Sequence, residues 1–200
     1  GHDVINVAPE FPDEEIAGEG EGVANNFFGG KVTVNSGKGF DEVVMASSEV
    51  LGALSINTGD GEDAVALWQI VAGSTVSVKT GNDSDLIGIA ELQAAGNTTV
   101  DSGNAGAGFS DEVLLTNSDF DQNLSIKTGN GDDMVGIGDS EKVDAALADL
   151  LAEFGWDEFG IAADAVAVGG KLTVATGSGW DGLSIGWCDI AGSASVDMGA

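Results

Sequence analysis

The chain has 200 residues, of which 34 are acidic and six are lysine, and its formal net charge is -28. Such a charge repels nucleic acid and anionic lipid, so we expect neither a nucleic-acid partner nor membrane insertion. Hydrophobic residues make up 42% of the chain, which excludes a disordered acidic tail and allows one domain with a substantial core.

Residues 1–28 open the chain and show little periodicity, and they include the acidic stretch EFPDEEIAGEGEG. The end of a repeat domain exposes unpaired strand edges and needs protection. We therefore divide the chain into an N-terminal cap or linker at 1–28 and a repeat domain at 29–200.

A ten-residue motif recurs through the repeat domain and is the strongest signal in the sequence. The copies read SGKGFDEVVM from Ser36, TGDGEDAVAL from Thr58, TGNDSDLIGI from Thr80, SGNAGAGFSDEVLL from Ser102, TGNGDDMVGI from Thr128 and TGSGWDGLSI from Thr176. Each copy contains one aspartate at the same place, and these are 22, 22, 26, 22 and 48 residues apart: Asp41, Asp63, Asp85, Asp111, Asp133 and Asp181. The two longer spacings are one 22-residue period with 4 or 26 residues inserted.

Short strands of alternating apolar residues flank every copy, such as LSIN before TGDGED and VAL after it. Alternation with period two places one set of side chains inside and the other outside. One 22-residue unit cannot bury its own apolar face, whereas stacked units can. We predict an all-β fold, a parallel β-solenoid of about six to seven 22-residue coils. A β-sandwich is the alternative, but it has no reason to keep one register over six copies.

The inward positions of this solenoid follow from the alternation. The strand before the motif contributes one column, which is Val34, Ile56, Val78, Val100, Ile126, Val174 and Val196. The strand after the motif contributes two more, which are Val43, Val65, Ile87, Val113, Val135 and Leu183, and Met45, Leu67, Ile89, Leu115, Ile137 and Ile185.

Two stretches depart from the pattern. In DSEKVDAALADLLAEF, residues 139–154, apolar residues recur at helical spacing and Gly155 can end the helix. We predict an α-helical insertion near 139–155, inside a departure from the solenoid at about 139–164, with its apolar face on the solenoid wall. The stretch GSASVDMGA, from Gly192, restarts the repeat and stops before its aspartate. We expect a module of a larger protein, or an end that docks onto something.

Stacked aspartates present an electrostatic problem. Charges one rung apart, at about 4.8 Å, repel by roughly 1 kcal/mol in water and about 3–4 kcal/mol at an effective dielectric constant near 20. Either the carboxylates spread into solvent and accept turn N–H groups, or cations lie between the rungs. Calcium takes six to eight oxygens, and a Gly-x-Gly turn exposes its carbonyls. Inward hydroxyls could instead satisfy the turn, from Thr58, Thr80, Ser102, Thr128 and Thr176.

The motif resembles the nonapeptide G-G-x-G-x-D-x-U-x of the RTX family, which binds Ca²⁺ in parallel β-rolls. Four copies keep the Gly-x-Gly-x-Asp core, but Thr or Ser replaces the first glycine and Asp83 replaces a core glycine. The motif also occurs once per coil, whereas the family has two in each shorter coil. The resemblance covers about ten residues per repeat. It implies at most one row of Ca²⁺ along one edge, held by the six aspartates and by Gly37, Gly59, Gly129 and Gly177.

An enzyme is not expected, because the chain has no Arg, no Tyr and one His, and these groups usually carry the chemistry of parallel β-helix lyases. The acidic, cysteine-poor, Gly-rich solenoid resembles the repeat regions of bacterial RTX-type adhesins and surface-layer proteins. The resemblance implies an extracellular or cell-surface structural or adhesive module, stabilised by Ca²⁺, that acts as a spacer or as a lattice or fibre subunit. The expected partners are a second copy, through the solenoid ends, a polysaccharide or another surface protein. The alternative function is a carbohydrate-binding or carbohydrate-modifying β-helix protein.

Overall fold

The computed structural model describes residues 1–7, 26–106, 108–138 and 165–199. Within these ranges the chain forms β-strands and no helix. The predicted helical insertion, 139–164, lies outside the described residues. The strands in chain order are β1 (His2–Val7), β2 (Asn26–Phe28), β3 (Val32–Lys38), β4 (Phe40–Val50), β5 (Leu54–Asp60), β6 (Ala64–Ala72), β7 (Val76–Lys79), β8 (Leu86–Ala94), β9 (Thr98–Asp101), β10 (Glu112–Thr116), β11 (Asp119–Phe120), β12 (Leu124–Lys127), β13 (Met134–Ile137), β14 (Val166–Val168), β15 (Leu172–Ala175), β16 (Gly182–Ile185), β17 (Cys188–Ile190) and β18 (Ala194–Asp197).

These strands build two parallel sheets that face each other across the core. Sheet A has 11 strands, with the path β1-β4-β6-β8-β10-β13-β16 and with β2, β11, β14 and β17 beside it. Sheet B has seven strands in the order β18-β15-β12-β9-β7-β5-β3. Each coil therefore passes once through sheet B and once through sheet A before it climbs one rung. This is the predicted parallel β-solenoid, with about seven turns.

Residues one coil apart pair directly, as the repeat predicts. Val43 pairs with Val65, Val65 with Ile87, and the same column continues through Val113 and Val135. The register also survives the long insertion, since β13 pairs with β16 and β12 pairs with β15. The coils before and after the 26-residue insertion are therefore in the same register.

The core lies between the sheets and is formed by the predicted inward columns. Ile56, Val78, Ile87 and Leu115 are each no more than 1% exposed. The column of Ile56 and Val78 is exposed at the last described rung, where Val196 is 46% exposed. Sheet A is also buried on its second face, as is common for parallel sheets, at positions that include Val44, Ala66 and Leu114. Burying one such side chain stabilises the fold by about 1.5–3 kcal/mol.

The N-terminal strands belong to the same stack. Both β1 and β2 pair in parallel with β4, and His2 lies in the register of Phe40. The described parts of residues 1–28 are therefore strands that cover the N-terminal edge of sheet A. Residues 8–25, between them, lie outside the described part of the chain.

Glycines at the motif turn allow adjacent coils to approach closely. Gly59 has φ +105°, and a Cβ there would overlap the Gly37 carbonyl oxygen of the preceding coil. Gly37 has φ +116° and pairs with Gly59, but a Cβ there would meet nothing within 4 Å. Asp83, which replaces a core glycine, keeps a positive φ of 78° and shows that the turn imposes its conformation on a non-glycine residue.

We predict that Gly59→Ala destabilises the fold much more than Gly37→Ala. Both substitutions carry the cost of a left-handed backbone, about 1–2 kcal/mol, but only Gly59→Ala also forces two coils apart. Urea unfolding followed by circular dichroism measures the difference. Equal losses for the two variants would show that backbone strain, and not the spacing between coils, requires the glycine.

Candidate functional site: the buried aspartate column

The six predicted aspartates stand in one column, but they face the core. Asp41 and Asp111 are 0% exposed and Asp85 is 4% exposed, and Asp63 and Asp133 are also buried. Asp181, in the last complete coil, is half-buried. Each aspartate precedes an inward valine, isoleucine or leucine by two residues, so strand alternation points both side chains the same way. We call this set, with Asp3, the aspartate column.

Hydrogen bonds join the aspartate column from end to end. The backbone N–H of Asp41 donates to Oδ1 of Asp63 at 2.9 Å, and the N–H of Asp63 donates to Oδ1 of Asp85 at 2.9 Å. The same bond recurs to Asp111, Asp133 and Asp181, at 3.0, 2.9 and 3.1 Å. Each carboxylate therefore holds the turn of the coil before it, and this bond forms only when the coils are in register.

Asp3 also belongs to the column, which the sequence analysis missed. Its N–H donates to Oδ1 of Asp41 at 2.9 Å, and it pairs with Asp41 in the sheet. A signal was present, because Gly1 and Asp3 match the second half of the Gly-x-Gly-x-Asp core and alternating apolar residues follow them.

The second carboxylate oxygens are less well satisfied. Oδ2 of Asp111 accepts the Ser102 hydroxyl and Oδ2 of Asp181 accepts the Thr176 hydroxyl, both at 2.8 Å. The hydroxyls of Thr58, Thr80 and Thr128 instead donate to backbone carbonyls of the next coil. Among the described residues, this leaves four buried Oδ2 atoms without a hydrogen-bond partner, those of Asp41, Asp63, Asp85 and Asp133.

Burial raises the pKa values of four carboxyl groups in the column. The pKa of Asp85 rises to about 8 and that of Asp111 to about 7, and the pKa values of Asp63 and Asp133 also rise. The largest cause is the loss of solvation, and neighbouring aspartates add a smaller increase. The backbone N–H groups and the hydroxyls that lie beside the carboxylates oppose this rise, because they favour the charged form.

Protonation removes the conflict over the threonine hydroxyl. The Thr80 hydroxyl has one proton, so it can serve the Ser102 carbonyl or the Asp85 carboxylate, but not both. A protonated Asp85 donates its own proton to the Thr80 oxygen, while Thr80 still donates to the carbonyl. A neutral Asp85 thus satisfies its polar atoms and avoids the repulsion from Asp63 and Asp111.

The contacts that the column residues make show whether they could coordinate Ca²⁺. Within the described ranges, no group of three or more His, Cys, Asp or Glu side chains is placed to hold a metal ion. The Oδ1 atoms already accept backbone N–H groups, and the Gly129 carbonyl accepts the Ser178 N–H at 3.1 Å. The predicted glycines, Gly37, Gly59, Gly129 and Gly177, line the turn beside the aspartates. As placed, these residues do not form a shell of six to eight oxygens open to an ion.

A second ladder runs along the outside of the same turn. Asn82 donates to Asp60, Asn130 donates to Asn104, and Ser178 donates to Asn130, at 2.6–2.9 Å. Each residue follows the first motif glycine, a position that the sequence analysis left without a role. These exposed amides add specificity of register at the solvent side of the turn.

The accessible surface near this edge is shallow. The residues around the four-residue insertion line an open surface pocket, which includes Asn130, Asp132 and Ser178. Beside it, the N–H of Trp180 donates to Oδ1 of Asp132 at 2.9 Å, and the Trp180 side chain is 90% exposed. The buried aspartates do not reach this surface.

Comparison of the chain with family models, with curated proteins and with solved structures finds no match. Within the described ranges, no helix has the length and hydropathy that a membrane span requires. The features of the chain that bear on its function are therefore its fold and the site described above.

We predict that the protein is more stable at acidic pH than at alkaline pH. Because the folded pKa values of Asp85 and Asp111 lie above the unfolded value of about 3.9, the native state holds protons that the unfolded state has lost. Their stabilising contribution is complete below about pH 4 and is lost as the pH rises through about 7 to 8. Thermal melts from pH 4 to pH 9 measure this fall.

The Asp85→Asn variant provides the control for this profile. The amide keeps an acceptor for the Asp63 N–H and gains a donor for the Thr80 oxygen, without a titrating proton. We expect a flatter profile and a higher melting temperature at pH 9 than in the original chain. The exposed Asp119→Asn change should leave the profile as it is. A melting temperature that rises steadily from pH 4 to pH 9 would contradict a protonated column.

Proposed function

We propose that this chain is a rigid structural module of a secreted or cell-surface protein, which acts as a spacer or as a subunit of a lattice or fibre. The observation that supports this role most directly is the continuous coil-to-coil bonding. Parallel sheets of 11 and seven strands and an unbroken aspartate column connect the described coils. A stack in which each coil is bonded to its neighbours resists bending and local opening.

The surface chemistry supports an extended, soluble element. The net charge of -28 keeps copies apart in dilute salt and disfavours nucleic acid and anionic membranes as partners. Five of the repeated aspartates, Asp41, Asp63, Asp85, Asp111 and Asp133, are buried and have no access to a substrate. A chain whose repeated polar residues serve its own backbone is suited to a mechanical role rather than to a chemical one.

Localisation tests the proposal directly. Antibodies raised against the folded chain should label unpermeabilised cells of the source organism, or bind protein in its culture fluid. Label that appears only after permeabilisation would overturn a secreted or surface role. Small-angle scattering of the purified chain should give a rod, with a rise of about 4.8 Å for each coil, and a flexible coil would overturn the spacer role.

Calcium remains a prediction from the motif. If Ca²⁺ binds only the native state, a concentration of 100 times its Kd stabilises the fold by about 2.7 kcal/mol. If Ca²⁺ binds, which requires the motif residues to move from the arrangement described above, millimolar Ca²⁺ should raise the melting temperature relative to excess chelator, and more at pH 8 than at pH 5, because metal ligands must be deprotonated. Mg²⁺ is the control. Equal melting temperatures with Ca²⁺, Mg²⁺ and chelator would remove calcium from the proposal.

One observation favours the carbohydrate-binding alternative. Trp180, whose side chain is exposed, follows Gly179, which lines the surface pocket with Asp132 and Ser178. Exposed tryptophan can stack on the apolar face of a sugar while neighbouring polar groups bind its hydroxyls. Titration with soluble oligosaccharides, followed by tryptophan fluorescence, would show saturable binding that Trp180→Ala abolishes. No response to any oligosaccharide would leave the structural role alone.

A further inference from the structure

Each end of the described solenoid has edge strands from both sheets. At the N-terminal end, β1 and β2 are the edge strands of sheet A and β3 is the edge strand of sheet B. At the C-terminal end, β16 and β17 are the edge strands of sheet A and β18 is the edge strand of sheet B. Among the described residues, both ends therefore present the full cross-section of a coil with one side of its strands unpaired.

We propose that a second copy of this chain stacks head to tail on the C-terminal end, so that β16, β17 and β18 of one copy pair in parallel with β1, β2 and β3 of the next. In this arrangement β18 of the first copy and β1 and β2 of the second form one complete coil. The second copy would be the partner of the proposed structural module. The stacking itself does not depend on the proposed function, and only its biological purpose does.

If the two copies pair in the register observed inside the chain, apolar residues meet across this junction. Asp181 takes the position of Asp133 one rung later, so Asp3 of the second copy would follow Asp181. Leu183 then meets Ile5, Ile185 meets Val7, and Val196 meets Val34 of the second copy. All six are apolar and only partly buried or exposed, because each stands at an open end. The junction would therefore bury the core residues that the ends leave open.

The aspartate column continues across the same junction. Among the described residues, Asp181 is the last member of the column. Asp3 is its first member, and the Asp3 side chain is exposed at the opposite end. In the stacked pair, the Asp181 N–H would donate to the Asp3 carboxylate of the second copy. This is the bond that every earlier pair of coils makes.

An aromatic column adds a third match. His2 stacks on Phe40 with ring centroids 5.1 Å apart, and the two residues are one rung apart. Trp180 precedes Asp181 as Phe40 precedes Asp41, so it occupies the same column. Its ring is 90% exposed. In the stacked pair, His2 of the second copy would lie between Trp180 and its own Phe40, and the exposed tryptophan would be covered.

Glycines of the turn also lie at the junction. Gly199 lies against Gly177 in the glycine column of the turn, and Gly1 lies against Gly39. Neither glycine has a side chain that would keep the two copies apart.

Charge sets the conditions for this association. Two copies of net charge -28 repel at long range. Salt near 0.5 M screens this repulsion over a few ångströms, while hydrogen bonds and apolar contacts at the junction are affected little. Association should therefore strengthen with salt, which is opposite to the behaviour of an ion-paired interface.

A disulfide that can form only between copies tests the register. Cys188 pairs with Val166 in the last coil, and Asn26 occupies the equivalent column in the first. Within one chain they are six rungs apart, roughly 29 Å, which is too far for a disulfide. In the stacked pair they would be one rung apart, about 4.8 Å, within the range that a disulfide spans.

The experiment uses Asn26→Cys in the full chain, with oxidised glutathione and 0.5 M salt. We expect a series of disulfide-linked oligomers on non-reducing gels. The matched control is Phe27→Cys, whose side chain is 62% exposed on the opposite face of β2 and should give at least about tenfold less product. Thermal melts confirm that both variants fold.

Sedimentation of the unmodified chain provides an independent measurement. Its mass should increase with protein concentration and with salt, and Trp180→Ala and Asp3→Ala should each shift the association to higher concentration. Equal cross-linking of the two cysteine variants would overturn the proposal that a second copy stacks head to tail. So would the absence of cross-linked product together with a monomeric mass in sedimentation. If the chain is monomeric but antibodies against it still label the cell surface, the proposed structural role stands and only the head-to-tail partner fails. The two proposals can therefore fail separately.

Discussion

Every coil of this protein must repeat the cross-section of the coil before it, because parallel strands pair residue by residue along the whole stack. Val43, Val65 and Ile87 are equivalent for that reason, and so are the glycines of the turn. Inserted residues can only leave the stack where strands end. Neither the four extra residues before Asp111 nor the 26 before Asp181 change the register of the strands around them.

The same constraint explains why a strongly acidic chain buries part of its acid. A carboxylate at the start of each sheet A strand can accept the N–H of the preceding turn, and six such bonds join the described coils. A slip of one residue would turn these groups away from their donors and leave them buried without partners, which is costly. The aspartate column thus specifies register, while the aliphatic columns supply most of the stability.

Burial also changes the protonation of part of the aspartate column. The loss of solvation raises the pKa values of Asp63, Asp85, Asp111 and Asp133. One chain therefore combines a net charge of -28, which keeps copies apart, with buried carboxyl groups whose neutral form is favoured relative to that of a free carboxyl group.

The amino-acid sequence alone determined the coil length, the strand positions and the inward aliphatic columns, because a strict 22-residue repeat with period-two alternation is compatible with only one stacking. It also placed the six aspartates in one column. The direction of those side chains was readable from their spacing to Val43 and its equivalents, yet their chemistry was not, since a Gly-x-Gly-x-Asp turn is compatible with either solvent or a metal. Only the tertiary structure decided that Oδ1 meets the N–H of another coil, that Oδ2 is shut away from water, and that Asp3 joins the column across 38 residues. Solvation and hydrogen bonding depend on neighbours that are distant in the chain, and those neighbours exist only once the coils are stacked.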